Sequence, residues 1–243
     1  KPVIVGGGTR GVVSTCCYIA RIRGVRSAMP MFKALKLAPD AVVVKPNMAK
    51  YADVGREVRA LMLQATPIVE PPYTDAASLA LAGTTPLHER PPAKTLAALI
   101  RDIETKIGIT ASVGLAPNKF LAKVASDLEK PRGYSVIGKG EALDFLAAKP
   151  VSLIWGVGKA MQETLAKDGI NSVGQLQKLE KNDLMRRYGS MGARLYHLSR
   201  GEDMRIVSTE DSSKSIGAEV TLDRDVADGE ELEALLWAMA QKV

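Results

Sequence analysis

The sequence predicts an α+β protein in which a ferredoxin-like sheet is followed by a compact all-helical unit. Residues 68–137 follow the order strand, helix, strand, helix, strand, which is typical of ferredoxin-like sheets. From Pro150 onward, short helical segments are separated by glycines. With 243 residues and 46% hydrophobic content, the chain can bury the cores of roughly two to four compact units.

The first elements are predicted from apolar runs and their breakers. Lys1–Val5 is a short buried strand, and the β-branched run Val12–Tyr18 is extended before a helical turn near Arg21. A proline suits the first helical turn, so a helix is predicted over Pro30–Leu37. Helical spacing of valine and leucine predicts another over Tyr51–Gln64.

The middle of the chain supplies the ferredoxin-like order. Its predicted elements are a strand region Ile68–Leu81, an amphipathic helix Lys94–Ile107, a strand Ile109–Leu115, a helix Asn118–Leu128, a strand Tyr134–Ile137 and a helix Glu141–Ala147. Further on, a strand pattern returns at Ser215–Leu222, and Glu231–Ala240 is predicted to be helical.

Composition and charge narrow the functional class. The net charge is +6, with eleven basic and three acidic side chains in residues 1–60 and ten against six in residues 149–208. Two basic regions suit a protein that grips a polyanion, although a mildly basic soluble protein explains the charge equally well. The adjacent pair Cys16 and Cys17 forms no disulfide framework, so we expect a reducing cytoplasm and no membrane span.

A glycine motif near the start imitates a dinucleotide-binding fingerprint. Gly6, Gly8 and Gly11 follow a predicted strand in the pattern G-x-G-x-x-G. A dinucleotide fold would open a helix at Gly11 and place an acid about 20 residues later. Here β-forming residues follow Gly11 and the first acid is Asp40. The glycines are therefore interpreted as a flexible connection between two extended segments.

A second glycine motif predicts contact with DNA. In Leu153–Lys159 an apolar run meets a G-x-G hairpin containing Trp155, Gly156 and Gly158, and a helix begins at Lys159. This pattern is typical of a helix-hairpin-helix, whose glycines bring backbone N–H groups close to a phosphate. Such contact is independent of base sequence. The competing interpretation is an ordinary turn between packed helices.

Two clusters of polar and basic residues could receive phosphates. Tyr18 and Arg21 are three residues apart, so on a helical turn a hydroxyl and a guanidinium share one face. Lys119 and Lys123 share a face of a predicted helix, and Lys130 lies at its end. For both clusters, packing or a solvated basic surface explains the residues at least as well.

Taken in order, these segments resemble the Y-family (translesion) DNA polymerases, most closely the DNA polymerase IV branch. The resemblance starts at Gly11–Arg21, continues in Gly24–Pro30 and Ile109–Lys130, includes the Trp155–Lys159 hairpin, and reaches Lys214–Gly217. It implies fingers at residues 6–48, a palm at 1–5 and 49–148, and a thumb at 149–208. Residues 209–243 would begin a truncated little finger.

The resemblance also implies a function and its residues. The family adds deoxynucleotides to a primer opposite damaged template, using two Mg²⁺ ions held by carboxylates. By position, Thr15, Tyr18, Arg21 and Lys130 match its nucleotide contacts. Lys214 and Ser215 join the hairpin residues as DNA contacts. Primer–template DNA and dNTP are the implied partners of a monomer, and a sliding clamp would bind a C-terminal tail beyond these residues.

The sequence departs from the family at its acidic motif. Asp75 matches the first acid of the second catalytic motif and is the one metal ligand predicted here. Ala76 takes the position of the family's Glu, Ser78 that of an aromatic residue and Ala80 that of a later Asp. The family's first metal-binding Asp precedes the position of Lys1. Because alanine cannot ligate Mg²⁺, we expect nucleotidyl transfer by this chain to be impaired.

Three explanations for this departure remain open. The chain is a fragment in which Ala76 is a change from the family residue, or it is a silent relative that binds DNA without synthesis. In the third, another carboxylate such as Glu70 substitutes, which strand alternation disfavours because Glu70 lies an odd number of residues from Asp75.

Overall fold

The chain folds into two compact units in a computed structural model that describes residues 1–8, 10–73, 76–210 and 215–243. Residues Lys1–Asp53 and Asp211–Val243 form unit 1, and Val54–Glu210 form unit 2. Both units contain helices and strands, and unit 2 ends in a run of helices, as is typical of an α+β protein. Among helices of the described residues, none combines the length and apolarity that a membrane crossing requires.

Unit 1 is built on a three-stranded sheet in the order β2–β1–β3. Strand β1 (Val3–Gly6) pairs antiparallel with β2 (Val13–Cys16) and parallel with β3 (Val42–Val44). The glycine motif thus closes a hairpin between antiparallel strands. A strand after Gly11 is incompatible with the dinucleotide fingerprint, which needs a helix there.

Among the described residues, three helices lie wholly within unit 1. Helix α1 (Tyr18–Ile22) follows β2 directly, and α2 (Met31–Leu37) begins after Pro30, as the sequence predicts. Helix α11 (Gly229–Ala240) lies near the C-terminal end, where the Asp228 side chain accepts a hydrogen bond from the Glu231 N–H. The buried core joins the sheet to α1 and α2 through Ile4, Val13, Cys16, Ala20, Val25, Met31, Ala34 and Ala38.

Helix α3 (Met48–Ala65) leads from unit 1 into unit 2. Strands β4 (Val69–Tyr73) and β5 (Ala76–Leu79) then pair antiparallel, with Glu70 opposite Ser78. Helix α4 (Thr85–His88) is short, and α5 (Pro92–Asp102) continues as a π-helical turn over Ile103–Ile107. The predicted helix Lys94–Ile107 is therefore present but changes its hydrogen-bond pattern in its last turn.

A second strand pair packs on helix α6 (Lys119–Leu128). Strand β6 (Val113–Leu115) is parallel to β7 (Tyr134–Val136), and α7 (Ala142–Ala147) follows. Gly114 is required where β6 meets α6, because a Cβ there would lie 2.0 Å from the Ala122 carbonyl oxygen. The serine, valine, glycine motif of the sequence thus marks a close approach of strand and helix.

The C-terminal part of unit 2 is all-helical, as predicted. A 3₁₀ turn (Val151–Leu153) precedes α8 (Lys159–Lys167), α9 (Val173–Gln177) and α10 (Lys181–Ser199), which is kinked at Gly189. One core runs from α6 through these helices, with Phe120, Leu121, Leu146, Ile154, Leu165, Leu176, Leu184 and Leu195 almost fully buried. The thumb-like helices and α6 therefore pack as one body.

The predicted strand at Ser215–Leu222 is wrong for the described residues. Residues 215–222 have an apolar and β-branched pattern but form no strand, and Ile216 and Val220 are more than half exposed. A strand is stabilised by pairing and by cross-strand side chains, so β-propensity alone does not produce one.

Candidate nucleotide and DNA contact sites

The first cluster lies at the junction of β2 and α1. The Arg21 guanidinium donates to the Cys16 carbonyl oxygen at 3.1 Å and to the Thr15 hydroxyl at 3.4 Å. Its carbon lies 5.7 Å from the centroid of the Tyr18 ring. The structure thus brings together three residues that the sequence proposed as nucleotide contacts, two hydroxyls and one cation on an exposed surface of unit 1.

The lysines of α6 are all paired with acids. The Lys123 and Lys130 ammonium groups lie 3.0 and 2.5 Å from the Asp127 carboxylate, and Lys119 lies 2.5 Å from Glu70. Burial by itself would raise the pKa of Asp127, but hydrogen bonds from Lys130 and Lys123 bring that pKa below its usual value. Lys130 lies just beyond the end of α6 and shares the single Asp127 carboxylate with Lys123, so its charge is only partly compensated.

The helix-hairpin-helix segment presents its backbone to solvent. Ile154 and Val157 are buried, while Gly156, Gly158 and Lys159 between and after them are exposed. Gly156 adopts φ +97°, a conformation that side chains rarely tolerate. Alternation of buried apolar residues with exposed glycines therefore turns the hairpin outward.

Helix α8 begins at this hairpin with its first N–H groups available. Gly158 is the N-cap and no side chain caps the helix. The first N–H groups of a helix lack partners within the helix and attract anions. Lys159, which has no acidic partner among the described residues, adds a cation at the same place.

Two arginines that the sequence analysis did not single out flank Trp155. The guanidinium carbons of Arg194 and Arg205 lie 5.6 and 5.1 Å from its ring centroid. Arg205 also forms two 2.8 Å bonds to Asp203, whereas Arg194 has no acidic partner in the described part of the chain. Arg194 is 39 residues from Trp155 along the chain, so no local pattern predicts the contact.

The acidic motif offers little to a metal ion. Ala76 opens β5 with a methyl side chain, and Asp75 and Lys214 lie outside the described residues. Glu70 accepts from Lys119 with one oxygen and, at 2.8 Å, from the Ser208 N–H with the other. Burial acts to raise the pKa of Glu70, but these bonds lower it below the usual value, so the carboxylate is committed to protein partners.

The described residues therefore do not fit a two-Mg²⁺ centre. Hard cations require several oxygen ligands, and the described part of the chain contains no group of three or more histidine, cysteine, aspartate or glutamate side chains suited to a metal. For Glu70 to replace the missing acid, as in the third explanation, its carboxylate would have to share or give up its bonds to Lys119 and Ser208. Ser215, the last predicted DNA contact, is exposed in unit 1.

Comparison with protein families and relatives gives one consistent result. The profile of the impB/mucB/samB family matches residues 1–127, and that of the DNA polymerase-iota thumb domain matches residues 153–203. DNA polymerase IV 1 of Mesorhizobium japonicum is 61% identical over the whole chain, and DNA polymerase IV of Pseudomonas syringae pv. tomato is 40% identical. The chain spans 56% of the first relative and 70% of the second.

Solved structures agree with the sequence relatives. A Y-family DNA polymerase chimera superposes on the whole chain with a TM-score of 0.87 at 28% identity, and the chain covers 73% of it. DinB from Sulfolobus solfataricus superposes on 85% of the chain with a TM-score of 0.77 at 30% identity, and 62% of that protein is covered.

Proposed function

This chain belongs to the Y-family of DNA polymerases, in the impB/mucB/samB group with the DNA polymerase IV proteins, and from that premise we propose its role. It forms the nucleotide- and DNA-binding part of an error-prone translesion polymerase that extends a primer opposite damaged template. Nucleotidyl transfer by this chain is impaired because catalytic acids are missing. Fingers at 6–48, palm at 1–5 and 49–148, thumb at 149–208 and the start of a little finger at 209–243 are part of this proposal.

The observation that carries the DNA-binding proposal is the exposed hairpin before α8. Two exposed glycines, an uncapped helix start and the unpaired cations Lys159 and Arg194 lie together. Such a surface offers N–H donors and positive charge to a phosphate without reading a base. Binding should therefore be salt-sensitive and largely independent of DNA sequence.

The nucleotide proposal rests on the β2–α1 cluster. Thr15, Tyr18 and Arg21 present two hydroxyls and a guanidinium within one contact network, a set that suits a triphosphate. Lys130 is assigned to the same role by its position in the family pattern. For Lys130 to contribute, its ion pair with Asp127 must be exchanged for one with the nucleotide.

The proposal that nucleotidyl transfer is impaired rests on Ala76 and on the bonds of Glu70. A methyl group replaces one family acid, and the carboxylate of Glu70, the alternative considered above, is held by Lys119 and Ser208. These two observations also favour a second candidate function, that of a catalytically silent DNA-binding or scaffold protein in the response to DNA damage. Asp75 is the carboxylate that the proposal leaves for metal binding.

Primer extension by the gene product that contains this chain tests both candidates. Parent and Ala76→Glu proteins are compared with Mg²⁺, four dNTPs and a primer–template, alongside DNA binding at two salt concentrations. Extension that rises at least tenfold with Ala76→Glu supports an impaired polymerase. Equal extension by both proteins would refute the impairment. Salt-sensitive DNA binding without extension by either one selects the silent scaffold.

A further inference from the structure

Residues 201–208, here called the strap, leave α10 without regular secondary structure and are held at the start of α6. The Asn118 amide donates to the Gly201 carbonyl oxygen at 2.7 Å, while its own oxygen caps α6. The Asp203 carboxylate accepts from the Phe120 N–H at 3.0 Å and its side chain is only 4% exposed. A buried carboxylate at a helix start is a strong anchor because charge and N–H donors are both satisfied there.

A second anchor holds the other end of the strap. Glu70 on β4 accepts from the Ser208 N–H at 2.8 Å, and Lys119 donates to Glu70 at 2.5 Å and to the Ile206 carbonyl oxygen at 3.3 Å. The side chains of Lys119 and Glu70 are 16% and 24% exposed, so solvent screens their interaction only partly. The strap is thus tied to a sheet strand and to a helix at the same time.

Between the two anchors, the strap contacts the DNA-binding hairpin. Arg205 binds the anchored Asp203 through two bonds and places its guanidinium 5.1 Å from the Trp155 ring centroid. Arg194 approaches the same ring, and its guanidinium lies 3.7 Å from where a Cβ on Gly156 would be. The position of Trp155 is therefore linked to the strap through Arg205.

We infer that Glu70 and Lys119 are positioning residues for the thumb hairpin, and that they act through the strap. By fixing Ile206 and Ser208 they hold Arg205 on Trp155, which keeps the exposed glycines and Arg194 in the arrangement that a phosphate requires. Only the effect on DNA binding rests on the proposed function. The link from Ser208 to Trp155 is a property of the free protein.

A pair of variants at Ser208 isolates the anchor. Ser208→Pro removes the N–H that Glu70 accepts, whereas Ser208→Ala keeps that N–H and loses only the hydroxyl contact to Glu210. We expect hydrogen exchange at the Arg205 and Phe120 amides, which both donate to Asp203, to quicken about tenfold in the proline variant, as loss of a bond to a charged group predicts. The alanine variant should match the parent.

Trp155 fluorescence reports whether the hairpin responds. The chain has two tryptophans, so Trp237→Phe leaves Trp155 as the single probe. In that background, Ser208→Pro should raise iodide quenching of Trp155 roughly twofold and weaken DNA binding about tenfold, with Ser208→Ala unchanged in both. Faster exchange of the strap with unchanged Trp155 quenching and DNA affinity would overturn the inference.

A second variant guards against a folding defect. Glu70→Leu with Lys119→Met removes both charges together, so no unpaired ion is left buried. The melting temperature of this double variant should lie near that of the parent. Its Trp155 quenching and DNA affinity should change as they do in Ser208→Pro. Quenching and affinity equal to those of the parent would contradict the inference. If the Trp237→Phe parent itself fails to bind DNA, the proposed function fails, and Trp155 quenching alone decides the positioning role.

Discussion

Helix α6, with Lys130 just beyond its end, and the hairpin before α8 both carry basic side chains, but those of the first region lie beside carboxylates. Lys119, Lys123 and Lys130 each lie within 3.0 Å of a carboxylate. Lys159 and Arg194 have no acidic partner among the described residues, and Arg194 rests on Trp155. The number of cations in a segment therefore does not indicate which one faces a polyanion, because pairing across the fold decides the local potential.

The two regions also differ in what their glycines do. Gly114 lets a strand approach α6, and its role is internal packing. Gly156 allows a backbone conformation that exposes N–H groups beside a cation. The first region thus stabilises the fold and the second presents a surface, which gives different expectations for substitutions in each.

The largest effect is expected for Gly156→Ala. At φ +97° an added Cβ is strained, at a cost of about 1–3 kcal/mol, and relaxation would turn the N–H groups away from solvent. DNA affinity should fall at least about tenfold at fixed salt, measured by fluorescence anisotropy. The matched control is Gly140→Ala, where no atom lies within 4 Å of the added Cβ. Equal affinities would show that the hairpin is an ordinary turn.

A smaller effect should separate the cations of the two regions. Lys159→Ala and Arg194→Ala should each weaken DNA binding several-fold and reduce the slope of log affinity against log salt by about 0.9. Lys123→Ala should have a smaller effect on both, because Lys123 lies beside the Asp127 carboxylate, which it shares with Lys130. The comparison breaks if Lys123→Ala lowers the salt slope as much as Lys159→Ala does.

The pairing at Glu70 predicts a dependence of stability on acid. The pKa of Glu70 in the folded protein lies below its ordinary value of 4.5. The contribution of Glu70 to the free energy of unfolding is therefore present above pH 4.5 and is lost as the pH falls through the folded pKa. The free energy of unfolding should therefore drop more steeply below pH 4.5 for the parent than for Glu70→Gln, measured by urea denaturation. Parallel curves for the two proteins would mean that the ion pair adds no stability.

The smallest effect concerns the hydrogen bond between Tyr188 on α10 and Asp168 at the end of α8. The Tyr188 hydroxyl donates to Asp168, and burial together with that carboxylate raises the pKa of Tyr188 to about 12. Tyr188 should titrate late in an alkaline absorbance titration, and Tyr188→Phe should diminish that late step without abolishing it, because burial also raises the pKa of Tyr134. The unfolded phenol ionises near 10, so the parent should lose a little stability between pH 10 and 12. A titration without a late step would contradict the hydrogen bond between Tyr188 and Asp168.

Much of the fold followed from local patterns. The helix starting after Pro30, the helix capped by Asn118 and the hairpin closed by Gly156 and Gly158 all depend on residues within a few positions of each other. The contact between Tyr18 and Arg21 was predictable for the same reason, since residues three apart on a helix are neighbours. The strand predicted at Ser215–Leu222 failed because pairing is not a local property.

The sequence by itself determined the family and most of the order of helices and strands, because both are carried by residue identity and spacing. Only the tertiary structure decided which charged groups are already engaged. Glu70 meets Ser208 across 138 residues, and Asn118 meets Gly201 across 83. Charge interactions depend on distance in space and on burial, neither of which is written in the spacing along a chain.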